Sequence, residues 1–97
     1  MITTKQRSSL RALAHTLTPV VIIGKEGVTA EVVKTVDDVL EARELIKIKV
    51  LNTSPLKVRE VSALLCQNLK AEGIQCIGNI VVIYRYSHKK GINHIEF

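Results

Sequence analysis

The chain predicts an α/β fold, in the order α-β-α-β-α-β-β, with a four-stranded mixed sheet. Three observations carry that prediction. Apolar residues recur at helical spacing in three segments, so each buries one stripe and leaves the rest polar. Short β-branched runs such as Val20-Val21-Ile22-Ile23 and the alternating Leu45-Ile46-Lys47-Ile48-Lys49-Val50-Leu51 separate those segments. The last two strand runs, Ile74 to Ile77 and Ile80 to Tyr86, are joined by Gly78-Asn79, which suits a tight hairpin. Strands separated by helices imply parallel crossovers, whereas a hairpin is antiparallel, so the sheet must be mixed.

Each element has its own local reason. Thr3-Thr4-Lys5-Gln6 has the form of a capping box. Leu10, Leu13, Ala14 and Leu17 then give an apolar stripe that Pro19 closes, and Arg7, Arg11 and His15 form a basic stripe away from it. The first strand stops at Gly24-Lys25-Glu26-Gly27. Thr29 is the N-cap of a second helix with Val32, Val33, Val36, Val39 and Leu40 on its inner face. Glu31, Lys34, Asp37, Asp38 and Glu41 fall on its solvated side. In the second strand Ile46, Ile48 and Val50 point one way while Lys47 and Lys49 point the other, so that face is wet. Helices are therefore expected mainly on the opposite face, with the position of the first helix open. Ser54-Pro55 reads as an N-cap and first helical proline. Val58, Val61, Leu64, Leu65 and Leu69 continue that third helix, and Gly73 suits its C-terminal cap. Residues 1–87 form the expected domain. Residues 88–97 are a short basic C-terminal tail, either loose or a small added segment.

Ninety-seven residues allow one domain, and 46% hydrophobic with 24% charged residues is a globular composition. Fourteen Lys and Arg against nine Asp and Glu give a net charge of +5, which favours a polyanionic partner. The N-terminal residues lack the apolar core of a signal peptide, and the longest apolar runs are too short to cross a bilayer. Cys66 and Cys76 lack metal or redox spacing and read as reduced core thiols, which fits a cytoplasmic location.

The strand–GxxG–helix arrangement at Gly24, Lys25, Glu26 and Gly27 is the leading candidate site. Glycine permits positive φ, successive amides in such a turn can cradle an anion, and the helix N-terminus adds partial positive charge. Lys25 adds a mobile ammonium and Glu26 opposes it. The competing reading is a turn that is only geometric. The motif is not a Walker loop, so nucleotide hydrolysis has no support. Lys47 and Lys49 stand side by side, either to meet phosphates or to keep the strand soluble. Arg85 joins them if strand pairing puts it on that face. Arg7 and Arg11 are a third cationic group, weighed against a plain solvated helix. Lys57, Arg59, Lys89 and Lys90 read as ordinary surface charge. With only Tyr84, Tyr86 and Phe97 aromatic, the chain offers little base-stacking platform, and the tyrosines read as packed. His15, His88 and His94 lie in unrelated segments, so there is no catalytic constellation, and no metal or cofactor is expected.

Several blocks in order resemble a known family. Lys5-Gln6, Leu13-Ala14-His15-Thr16-Leu17-Thr18-Pro19, Ile23 to Thr29, Glu44 to Val50, and Ile77-Gly78 with Tyr84-Arg85 are similar to the CRM (chloroplast RNA splicing and ribosome maturation) domain, in its bacterial single-domain YhbY form. The resemblance spans about residues 3 to 87. It implies a fold akin to the C-terminal domain of translation initiation factor three, RNA binding through the GxxG turn, and association with precursors of the large ribosomal subunit. The resulting expectation is a non-catalytic, monomeric RNA-binding protein of ribosome assembly. It would contact backbone through Gly24, Lys25, Glu26, Gly27, Lys47, Lys49, Arg7 and Arg11, with no membrane or small-molecule partner. The alternatives are a ribosome-associated adaptor that binds protein through a strand edge or the tail, an enzyme that modifies or cleaves RNA, and a general KH-like binder of single strands.

Overall fold

The computed structural model describes residues 2–97. The elements are α1 (Thr4–Ala14), β1 (Pro19–Ile23), α2 (Ala30–Arg43), β2 (Leu45–Val50), α3 (Val58–Leu69), β3 (Glu72–Ile77) and β4 (Ile80–Tyr84). The strands form one sheet in the order β1-β2-β4-β3, with β1 and β2 parallel and β4 antiparallel to both β2 and β3. The expected element order and mixed four-stranded sheet are therefore present.

Period-two alternation in β2 divides the core in two. Ile46, Ile48 and Val50 face one side, where α2 and α3 bring Val36, Leu40, Val61 and Leu65 against Val21, Ile23, Val81 and Ile83. Leu45 faces the other side and joins Leu10 and Ala14 of α1 with Ile74, Val82 and Tyr84. So α2 and α3 share the face opposite Lys47 and Lys49, and α1 takes the lysine face. It covers only the end of that face at the start of β2. Removing a fully buried aliphatic such as Leu40 or Ile46 would cost about 2–5 kcal/mol, because the loss includes both transfer energy and a cavity.

Local signals set most boundaries. In α1 the Gln6 amide donates to Thr3 Oγ1 at 3.0 Å and the Thr3 amide donates to Gln6 Oε1 at 2.9 Å, closing the capping box. In α2 the Val32 amide donates to Thr29 Oγ1 at 3.1 Å. Gly78, at φ +55, begins the two-residue turn that sets Ile77 opposite Ile80.

Several expectations need correction. α1 ends at Ala14 with His15 as its C-cap, so Leu13 is exposed and Pro19 opens β1 instead of closing the helix. α3 starts at Val58, not at Pro55. Ser54 forms its own tight turn, with Oγ accepting from the Leu56 amide at 3.1 Å and donating to the Leu56 carbonyl at 2.8 Å. Glu60 caps the start of α3 by accepting from the Lys57 amide at 2.9 Å. At the other end Lys70, at φ 54, makes the left-handed cap, and Gly73 lies inside β3 beside a register shift. Gly73 and Gln75 flank that bulge, and the unpaired residue between them, the buried Ile74, turns onto the face of α1.

The segment after β4 is docked. Phe97 meets Tyr84 edge-on at 5.2 Å between ring centres, and Ile95 packs against the α1-side core. Glu44, at φ 67 and 0% exposed, ends α2. Its carboxylate accepts from the Ser87 amide at 2.7 Å and the Ile95 amide at 2.9 Å, and it faces His94 Nδ1 at 2.7 Å. Burial pushes this carboxyl's pKa up, but the two amides and His94 outweigh burial and hold it below the ordinary value.

Candidate functional site

The turn at Gly24–Gly27 sits where the parallel strands end. The Leu51 amide donates to the Ile23 carbonyl at 2.8 Å, which brings the loop after β2 alongside the loop after β1. The Gly27 amide donates to the Gly24 carbonyl at 3.0 Å, closing the turn. Only Gly27 needs to be glycine for conformation. It is buried at φ +69, and a Cβ there would lie 3.1 Å from Pro55 Cγ. Gly24 has no positive φ, and a Cβ there would meet Leu51 and Thr53 at ordinary contact distance.

This geometry leaves the turn with a mixed electrostatic character. The Gly27 amide is spent inside the turn and the Val32 amide on Thr29. Glu31 in the first turn of α2 already complements the helix dipole. Lys25 and Glu26 are both exposed at the tip. The free cation there is the Lys25 ammonium, and the backbone is a lesser contributor.

Lys47 and Lys49 are half-buried on the α1-side face of β2, beyond the part that α1 covers. Lys49 lies opposite Ile22 of β1, two residues before Gly24, so Lys49 and Lys25 belong to the same end of the sheet. One flank of α1, carrying Gln6 and Leu13, lines hollows shared with Phe97 and Ile95, and Leu17 just past the helix lines one of them. Helical geometry puts Arg7 and Arg11 on the opposite flank, toward the uncovered part of the sheet. Arg11 is half-exposed there. The Arg7 guanidinium bonds the Gly73 carbonyl on β3, so part of its donor capacity is used within the fold.

Arg85 does not join this face. Its guanidinium reaches the α2 and α3 side, where it pairs with Asp37 at 2.8 Å and Glu41 at 3.1 Å and donates to the Leu69 carbonyl at 3.1 Å. Asp37 and Glu41, expected as merely solvated, are its partners. The reason is simple: Arg85 lies one residue past Tyr84, and alternation sends it to the other side. Tyr86 also departs from the packed reading, since it is exposed and stacks on His94 at 4.3 Å.

One feature of the lysine face was missed entirely. The register places Ile22, Lys49, Ile80 and Ile77 in one row across all four strands. Ile22 is 61% exposed and Ile77 58%. No single segment of sequence signals such a row, because it exists only once the strands are paired.

Among the described residues no group of three or more His, Cys, Asp or Glu is placed to hold a metal ion. Among the described residues no helix is long and apolar enough to cross a membrane. Cys66 and Cys76 are free thiols packed against the larger core, and burial pushes the Cys66 pKa up, which favours the neutral thiol.

Comparison with known proteins gives a consistent result. A protein of Bacillus subtilis named "Probable RNA-binding protein YqeI" is 40% identical over 87 residues, covering 90% of this chain and 91% of that protein. A protein of Haemophilus influenzae named "RNA-binding protein" is 36% identical over 91 residues, covering 94% of this chain and 92% of its own length. The solution structure of SAV1595 from Staphylococcus aureus superposes with a TM-score of 0.78 at 41% identity, covering 93% of this chain and 94% of that one. The CRS1 / YhbY (CRM) domain matches residues 2–85. By that match, and by relatives of nearly its own length, this chain belongs to the CRS1/YhbY (CRM) domain family.

Proposed function

We propose that this protein binds RNA without catalysing a reaction on it. The observation that carries the reading is the cationic end of the sheet: Lys47 and Lys49 on an uncovered face, with Lys25 on the adjoining turn. The RNA-binding names of its relatives support it. Gly24 and Gly27 shape the turn, and Lys25, Lys47, Lys49 and Arg11 meet phosphates. Glu26 limits how closely the strand approaches the turn tip, and Arg7 contributes only the part of its guanidinium that Gly73 leaves free. Contacts of this kind fix position on the backbone and carry little sequence information.

More specifically, the RNA is ribosomal RNA in precursors of the large subunit, and the protein acts on it as a cytoplasmic monomer that assists assembly. The test has two parts. Fluorescence anisotropy with labelled RNA across a salt series should give a log–log slope that falls by roughly 0.7–0.9 for each lysine converted to alanine at positions 25, 47 and 49. Tagged protein should sediment with large-subunit precursors in cell extracts, and crosslinked RNA should map to the large-subunit rRNA. A salt-insensitive association that survives loss of Lys25 and Lys47 would replace this reading with docking on a ribosomal protein.

A further inference from the structure

We infer that the row Ile22–Lys49–Ile80–Ile77 is an aliphatic platform for unpaired nucleotides, so that the protein prefers single-stranded RNA to duplex. The inference rests on the RNA-binding reading and deepens it.

The argument starts from what a phosphate-only surface would look like. Such a surface would set lysines among polar residues. Here Lys49 stands between Ile22 on one side and Ile80 and Ile77 on the other, with Lys47 one row below. Adjacent strands are about 4.8 Å apart, so the row is roughly 14 Å long, and rows are about 6.7 Å apart along the strands. Both ends of the row are exposed isoleucines, at 61% and 58%. Half-buried Ile80 links the two exposed ends, so the three isoleucines make one apolar band across the face instead of scattered single residues.

The occupant is set by charge. Lys47 and Lys49 rise from the same face and Lys25 borders it; the one strand carboxylate on that side, Glu72 of β3, lies at the far end opposite Tyr84, where it accepts from the Ile2 amide, away from the Ile22–Ile77 row. A polyanion with flat apolar parts matches: phosphates on the lysines, and ribose and base faces on the isoleucines. A duplex hides its bases in the stack and offers phosphates and sugar edges, so it would use the lysines and leave the isoleucines bare. The scarcity of aromatics does not prevent this, because aliphatic side chains also pack against base faces.

The two contributions separate by their response to salt. Phosphate contacts release counterions and set the salt slope, whereas aliphatic packing does not. The experiment compares the full chain with Ile22→Ser/Ile77→Ser and with Lys47→Gln/Lys49→Gln. The probes are a labelled single-stranded oligouridylate and an RNA duplex of equal length, titrated across a salt series. Thermal melting checks folding, and Ile77→Ala serves as a milder variant. The isoleucine variant should lose about tenfold in affinity for the single strand, with an unchanged slope and unchanged duplex binding. The lysine variant should reduce the single-strand slope by roughly 1.4 and weaken both probes. Equal loss on both RNAs, no loss, or a changed slope in the isoleucine variant would overturn the platform while leaving RNA binding in place. Wild-type protein that binds neither RNA would overturn both readings. Concentration-dependent dimerisation in sedimentation that the isoleucine substitutions abolish would assign the row to a second copy of the chain.

Discussion

Replacing Glu44 with glutamine tests whether the docked C-terminal segment is held by a buried charge. The carboxylate is 0% exposed and receives the Ser87 and Ile95 amides as well as facing His94. A hydrogen bond to a charged group contributes about 1.5–3 kcal/mol, and a buried donor left unpaired loses a similar amount. Glutamine keeps one acceptor oxygen and turns an NH2 group toward the remaining donors. The net cost should be about 3 kcal/mol, a large part of the stability of a domain this size. At roughly 4–8 °C per kcal/mol, the melting temperature should fall by about 15 °C. The pH dependence gives a sharper check. The folded-state pKa of Glu44 lies below its ordinary value of 4.5, so its contribution is full above 4.5 and is lost as pH falls through the folded value. The wild-type carboxyl, once protonated, resembles glutamine. The difference in melting temperature between wild type and Glu44→Gln, followed by circular dichroism, should therefore be large at neutral pH and should close in acid. A gap that stays constant across that range, or a variant that melts with wild type at neutral pH, would refute the reasoning. Glu44→Gly separates the backbone from the charge, because it relaxes the φ of 67 while losing the same hydrogen bonds.

Other outcomes follow from the same geometry. Arg85→Ala should destabilise by about 2–3 kcal/mol in urea unfolding, since it strips the carbonyl of Leu69 and the carboxylate of Glu41 of a largely buried partner. Asp37→Ala should cost less, about 0.5 kcal/mol, because the Asp37 side chain is 47% exposed and its ion pair is screened. Gly27→Ala should lower stability by about 1–2 kcal/mol, because its φ is +69 and its Cβ would press on Pro55 at 3.1 Å, whereas Gly24→Ala should melt close to wild type. Loss of RNA affinity in a folded Gly24→Ala protein would show that the backbone at Gly24 approaches the ligand closely.

Local signals were legible wherever the partner lies within a few residues. Thr3 and Thr29 announce their helices because a cap acts over three residues, and the alternation around Lys47 and Lys49 declares a wet face because strands have a period of two. Ser54 misled because its hydroxyl has equal use in a helix cap and in a two-residue turn, and only the path around Gly27 and Pro55 decides between them. Glu44 was illegible as an anchor. Its partners are 43 to 51 residues away, and nothing local distinguishes a buried carboxylate from a surface one. Arg85 likewise depends on acids 44 or more residues distant. For the site, the lysines were visible one strand at a time. The isoleucine row that passes through Lys49 required knowing that β4, not β3, lies next to β2.

That placement of β4 has a further consequence for how the molecule is made. The strand synthesised after all the others occupies an interior lane of the sheet, between β2 and β3. A nascent chain that has already released its helices and first three strands still has a gap at its centre, with β3 lacking its pairing partner. Assembly on the ribosome must therefore wait for Ile80–Tyr84 to clear the exit tunnel, and then proceeds as one cooperative closure instead of growing lane by lane. Premature termination before that segment would leave β3 unpaired, take Val81 and Ile83 from one core cluster and take Val82 and Tyr84 from the other.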